Sequence, residues 1–88
     1  MANIDLSVTM ENGTGLGMKI FINSAEFDFD QTGTQSVTLA PGKFVATVIG
    51  HEPSGADVRI DVLQGPDVIG HTFFTSPLFS GFIKFTVQ

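Results

Sequence analysis

Met18-Lys19-Ile20-Phe21-Ile22-Asn23-Ser24-Ala25-Glu26-Phe27-Asp28-Phe29 places an apolar residue at every second position on either side of a polar two-residue break. Side chains of a strand point to opposite faces in turn, so this spacing describes two strands with one buried and one wet face. If Asn23-Ser24 is a two-residue hairpin turn, Ile22 faces Ala25, Ile20 faces Phe27 and Met18 faces Phe29. The opposite face then sets Lys19 across from Asp28, an opposite-charge pair worth about 0.2–1 kcal/mol. Register and charge agree on one hairpin.

The same period runs through most of the chain. Ile4, Leu6, Val8 and Met10 begin it, Phe44, Ala46 and Val48 continue it, Val58, Ile60 and Val62 repeat it, and Gly81, Ile83, Phe85 and Val87 close it. No segment sustains a helical period. Strands are predicted at 3–10, 16–23, 25–30, 35–40, 43–50, 57–64 and 79–88, with a weaker one near 68–74. Asn12-Gly13, Asn23-Ser24, Gly33, Pro41-Gly42, Pro53-Ser54-Gly55, Gly65-Pro66 and Ser76-Pro77 supply the turn chemistry between them. The expected fold is all-β, a two-sheet antiparallel β-sandwich of seven to eight strands forming one domain over residues 1–88.

Pairing is predicted in two further places. A tight turn at Asn12-Gly13 would oppose Thr9 and Leu16, polar against apolar. Aligning Met10 with Leu16 restores the faces, which implies a five-residue loop or a glycine bulge across 11–15. Strands 43–50 and 57–64 are expected to form a second hairpin, Val48 with Val58 and Ala46 with Ile60. Val45, Thr47 and Ile49 give the first of these a partly apolar second face, the mark of a central or covered strand.

Leu39-Ala40-Pro41-Gly42-Lys43-Phe44-Val45-Ala46-Thr47-Val48 resembles the leucine-x-proline-glycine-x-aromatic-x-x-x-valine turn and strand of transthyretin-like and related immunoglobulin-like sandwiches. Pro41 presets φ, Gly42 permits a positive φ, and Phe44 anchors the next strand. The resemblance implies an immunoglobulin-like or transthyretin-like sandwich, a module type that serves as an accessory, adhesion or ligand-presenting domain. The motif is structural, so no functional residue comes with it.

Composition narrows the function. Nine acidic residues against four basic give a net charge of −5. Lys19, Lys43, Arg59 and Lys84 are too few and too scattered to neutralise a run of phosphates, which disfavours nucleic acid and anionic membrane alike. With no cysteine there is no disulfide, thiolate metal site or thiol nucleophile. No stretch approaches the roughly 20 apolar residues of a spanning helix. The opening residues lack a signal-peptide pattern, so the chain as written reads as cytoplasmic or as a domain excised from an extracellular protein.

Candidate chemistry is sparse. Glu26, Asp28 and Asp30 share one strand face at about 7 Å intervals. Calcium gathers oxygen ligands at closer range from loops, so a solvated face neutralised by Lys19 accounts for them better. His51, Glu52 and Asp57 fall in or beside the longest hairpin loop, and His71 lies on the weaker strand; together they form the ligand-binding alternative. The run Gly13 to Gly17 lacks the following helix that a phosphate loop needs. Ser54, Ser76 and Ser80 have no nucleophile context, and Asn12-Gly13-Thr14 matches an N-glycosylation sequon. No cofactor and no catalytic residue is expected.

Nine phenylalanines with no tyrosine or tryptophan suit core packing better than sugar stacking. Alternation cannot bury them all: Phe73 and Phe74 are adjacent, Phe82 falls off the Gly81–Ile83–Phe85 face, and Phe21 shares the face of Lys19. Phe21, Phe74 and Phe82 are therefore the candidate partner-binding residues. The alternative for this cluster is a core extension covered by residues 65–78. The sequence supports a non-catalytic module acting in protein contact or self-association, or as a structural domain. The alternative is a weak carbohydrate or calcium module.

Overall fold

The computed structural model describes residues 1–11 and 15–88; the glycine bulge across 11–15 and the Asn12 sequon fall on positions outside them, in whole or in part. Eight strands are present: β1 (Ala2–Met10), β2 (Gly17–Ile22), β3 (Ala25–Phe29), β4 (Gly33–Leu39), β5 (Gly42–His51), β6 (Val58–Gln64), β7 (Asp67–Phe74) and β8 (Leu78–Val87). They form two antiparallel four-stranded sheets, sheet A in the order β4-β1-β6-β7 and sheet B in the order β3-β2-β5-β8.

Apolar alternation closes the interior. Ile4, Leu6 and Val8 of β1 and Val58, Ile60 and Val62 of β6 meet Ile20 and Ile22 of β2, Ala46 and Val48 of β5, and Ile83, Phe85 and Val87 of β8 in one buried cluster. Sheets packed face to face lie about 10 Å apart, which these side chains fill. Phe44 and Phe85, opposed across β5 and β8, stack at 5.7 Å between ring centroids. Phe74 of β7 stacks on Phe79 of β8 at 4.6 Å, linking the two sheets along one side.

The 18–29 hairpin has the predicted register: Met18 opposes Phe29, Lys19 opposes Asp28, Ile20 opposes Phe27 and Ile22 opposes Ala25. Asn23 adopts a φ of 55°, the left-handed conformation that Asn tolerates better than most residues. Asn23→Gly is accordingly expected to be neutral or slightly stabilising, and Asn23→Val to cost about 1–2 kcal/mol, read from urea unfolding midpoints. The second hairpin joins β6 and β7 through Gly65-Pro66, with Gly65 at φ 61°. A positive φ followed by proline's fixed negative φ is the sign pattern of a II′ hairpin turn.

Two predicted pairings are not formed. β1 and β2 lie in different sheets, so Met10 does not pair with Leu16. Likewise β5 pairs with β2 and β8, and β6 with β1 and β7, so the expected 43–50/57–64 hairpin is replaced by a crossing between sheets. Val48 and Val58 do share the interior, but from opposite layers. A matched inward face is equally satisfied by neighbours in a sheet and by strands opposed across the core. Alternation alone does not separate the two.

Candidate functional site

The two outer faces differ in chemistry. Sheet A turns out Asn3, Asp5, Ser7 and Thr9 from β1, Thr34, Ser36 and Thr38 from β4, Arg59 and Asp61 from β6, and His71 from β7. These groups bond to one another: Ser36 Oγ donates to Asp5 Oδ1 at 2.6 Å, and Arg59 Nε lies 3.1 Å from Asp61 Oδ2. This is a hydrated face, with Phe73 and Val68 its exposed apolar residues.

Sheet B turns out a different set. Four large apolar side chains stand in water there: Val45 is 48% exposed, Ile49 54%, Leu78 79% and Phe82 69%. Phe21 is half-buried beside them. Register lines them up. One row runs Glu26–Phe21–Thr47–Phe82 across β3, β2, β5 and β8, and the next runs Asp28–Lys19–Ile49–Ser80. Val45 opposes Lys84, and His51 opposes Leu78. β5 is central, as its two-sided apolar pattern implied, yet nothing within the described residues covers its outer side.

Charge is distributed unevenly as well. Lys19, Lys43 and Lys84, three of the four basic residues, belong to this face. Set against Glu26 and Asp28, and against Asp30 just beyond β3 at the end of the same face, they leave it neutral, so the remainder of the chain carries the whole net charge of −5. Lys19 Nζ is 2.9 Å from Glu26 Oε2 and 3.4 Å from Asp28 Oδ1. Hydrogen bonds to Glu26 and then Asp28, with their negative charge, raise the lysine above its ordinary 10.5. A raised folded-state pKa contributes stability below 10.5 that is lost as pH climbs through the folded value. The urea midpoint of the wild type is expected to fall over that alkaline range more steeply than that of Lys19→Met. Lys43 and Lys84 have no ion pair among the described residues.

Of the three predicted partner residues, the structure brings Phe21 and Phe82 into one row of this face. Phe74 is a correction: it points inward, half-buried against the core and stacked on Phe79, while its neighbour Phe73 is the exposed ring, on sheet A. The cause is a bulge in β7: Leu63 opposes Val68 but Val62 opposes Gly70, so Ile69 is skipped and the facing of 70–74 shifts by one. Sequence reading also missed Leu78, Val45 and Ile49 as members of the patch. The partly apolar second face of β5 was the signal for the latter two.

The ligand-binding alternative is dispersed. His51 ends β5 on the outer face of sheet B, its ring lying over Gly17, whereas His71 stands on the outer face of sheet A. Asp57 is exposed just before β6. Glu52 is fully buried, not displayed on a loop as expected. Its Oε1 accepts from Ser54 N at 2.8 Å and from the Ser54 hydroxyl, its own N–H donates to Pro77 O at 2.8 Å, and its Oε2 has no hydrogen-bond partner. The carboxylate organises the start of the β5–β6 crossing. Glu52→Ala, which strips Ser54 N of its acceptor and opens a void, is expected to cost about 1–3 kcal/mol in urea unfolding.

Glu26, Asp28 and Asp30 are exposed, the first two serving Lys19 as expected. No group of three or more His, Asp or Glu side chains suited to a metal occurs among the described residues. An open groove of about 670 Å³ crosses one end of the sheet B face, lined by Lys19, Asp28, Asp30, Ile49, His51 and Leu78 among others.

Comparisons with known proteins return no match, whether to a family model, a curated protein or a solved structure.

Proposed function

We propose that this chain is a non-catalytic β-sandwich module that works by protein contact, and that the outer face of sheet B is its contact surface. The observation that carries this reading is the contrast between the two faces. One carries hydroxyls, carboxylates and a guanidinium, with Phe73 and Val68 exposed only on its edge strand β7. The other exposes Val45, Ile49, Leu78 and Phe82 together on the adjacent strands β5 and β8. Apolar groups gathered on one side, rimmed by charge, mark interaction surfaces, whereas scattered ones do not. The resemblance of residues 39–48 to transthyretin-like and immunoglobulin-like modules supports an accessory or assembly role. The separation of His51 from His71 favours contact over catalysis.

A photo-cross-linking residue at position 82, compared with one at position 36 on sheet A, tests the reading in cells that make the protein. Adducts from 82 and not from 36 are expected. Equal yields from both positions, or none from 82, contradict it.

The groove beside His51 favours a second reading, a small-ligand module for a sugar or for calcium at Asp28 and Asp30. Calcium bound by the folded state would raise the melting temperature by mass action. A melting temperature indifferent to millimolar calcium removes the cation version.

A further inference from the structure

We infer that the outer face of sheet B is self-complementary and pairs with the same face of a second copy of this chain about a two-fold axis lying in the plane of the contact. The inference rests on the contact reading above and names its occupant. Glu26 and Asp28 stand on edge strand β3, while Lys43 and Lys84 stand on β5 and β8 at the far end of the same face. With strands about 4.8 Å apart and same-face neighbours about 7 Å apart, the acidic and lysine pairs occupy opposite corners about 18 Å from each other. The midpoint of that diagonal falls among Phe21, Thr47 and Val45, towards one end of the apolar patch, with Leu78 outside the overlap.

A two-fold through that midpoint, perpendicular to the diagonal, sets each acidic corner over the lysine corner of the other copy and brings the apolar centres together. Each contact is then made twice, as an isologous interface requires. The charges suit the exchange. Lys19 offsets one of the two carboxylates, leaving its corner at −1, and Lys43 and Lys84 leave theirs at +2 with no ion pair of their own among the described residues. The hydrated sheet A face offers no comparable pairing of apolar centre and opposed charged corners. The axis lies about 49° from the strands, so the two sheets cross at nearly a right angle and about 19 Å by 19 Å of each face overlaps, about 700 Å² in total, the size of a weak, transient contact. The dimer is therefore expected to be weak, with a dissociation constant of about 10–100 μM.

Sedimentation equilibrium on the purified chain, up to about 1 mM, tests this with paired charge reversals. Wild type is expected to dimerise. Lys43→Glu with Lys84→Glu sets acid over acid at both corners, and Glu26→Lys with Asp28→Lys sets base over base, so each variant alone is expected to associate at least about tenfold more weakly. Mixed, the two variants restore opposite charge at both corners, and a heterodimer within about threefold of wild-type affinity is expected. Circular dichroism melts verify that each variant folds. Should the second fail, Glu26→Gln with Asp28→Asn replaces it, with loss of the salt dependence of association as the expected result.

A wild type still monomeric at 1 mM overturns the inference, as does a mixture that stays monomeric. If Phe82→Ser abolishes a dimer that neither charge reversal weakens, the face is a contact surface but the charge-exchanging two-fold is wrong. Cross-links from position 82 to a different protein, with a monomeric wild type, leave the contact reading standing and this inference refuted.

Discussion

Ile20→Ala is expected to cost about 2–5 kcal/mol, a large share of the roughly 5–15 kcal/mol that holds a small domain folded. Ile20 is fully buried on β2, the strand between β3 and β5, and its neighbours in register are Phe27 and Val48. Truncation removes transfer energy and leaves a void that a close-packed sheet interior fills poorly. Ile49→Ala makes the matched comparison. Ile49 follows Val48 on the neighbouring strand, is 54% exposed, and lies in the row of Lys19. In the dilute monomer its loss is expected to change stability by no more than about 0.5 kcal/mol. Chemical denaturation of both variants reads the two numbers. Similar costs would mean that Ile49 is covered within the monomer, against the assignment of an open outer face.

Gly70→Val is expected to be nearly as damaging, at about 3 kcal/mol, with Gly70→Ala at about 1–3 kcal/mol. A Cβ at position 70 would lie 2.8 Å from Ile83 Cγ2, 3.2 Å from Phe85 Cβ and 3.3 Å from Lys84 O. Ile is stiff at χ1, and the other two contacts are a carbon next to the backbone and the backbone itself, so none yields cheaply. The gain in strand propensity from glycine to valine is at most about 1 kcal/mol, so the steric term wins. The reason for the close approach is local: β7 and β8 draw the two sheets together along the side where Phe74 stacks on Phe79. Unfolding midpoints of the two variants check the order. A Gly70→Val protein as stable as wild type would mean that β7 does not lie against β8.

The sequence disclosed what depends on one strand or one turn. The faces of β1, β2, β3 and β8, the 18–29 register, the Lys19–Asp28 pair and the turn at Gly65-Pro66 all follow from period two and local backbone chemistry. Sheet membership was not legible, because Val48 and Val58 satisfy the same apolar pattern whether side by side or opposed across the core. Phe74 was misplaced for a related reason. A single skipped residue at Ile69 reverses which of Phe73 and Phe74 faces in, and nothing in the local composition announces a bulge there. The exposed apolar patch of sheet B was half legible. Phe21 and Phe82 were identifiable from parity on their own strands, whereas their union with Val45, Ile49 and Leu78 depends on the β3-β2-β5-β8 order.

The absence of cysteine from the chain makes a direct measurement possible, since one introduced thiol reports on one position. Thr47→Cys places it at the centre of the sheet B face and Ser36→Cys on sheet A, both at exposed polar positions. In dilute purified protein both are expected to react with a permeant maleimide at the rate of an open surface thiol. If the sheet B face is the contact surface proposed above, labelling at position 47 in the cells that make the protein is expected to slow at least about tenfold relative to position 36. Equal labelling of the two positions in both settings would contradict the account.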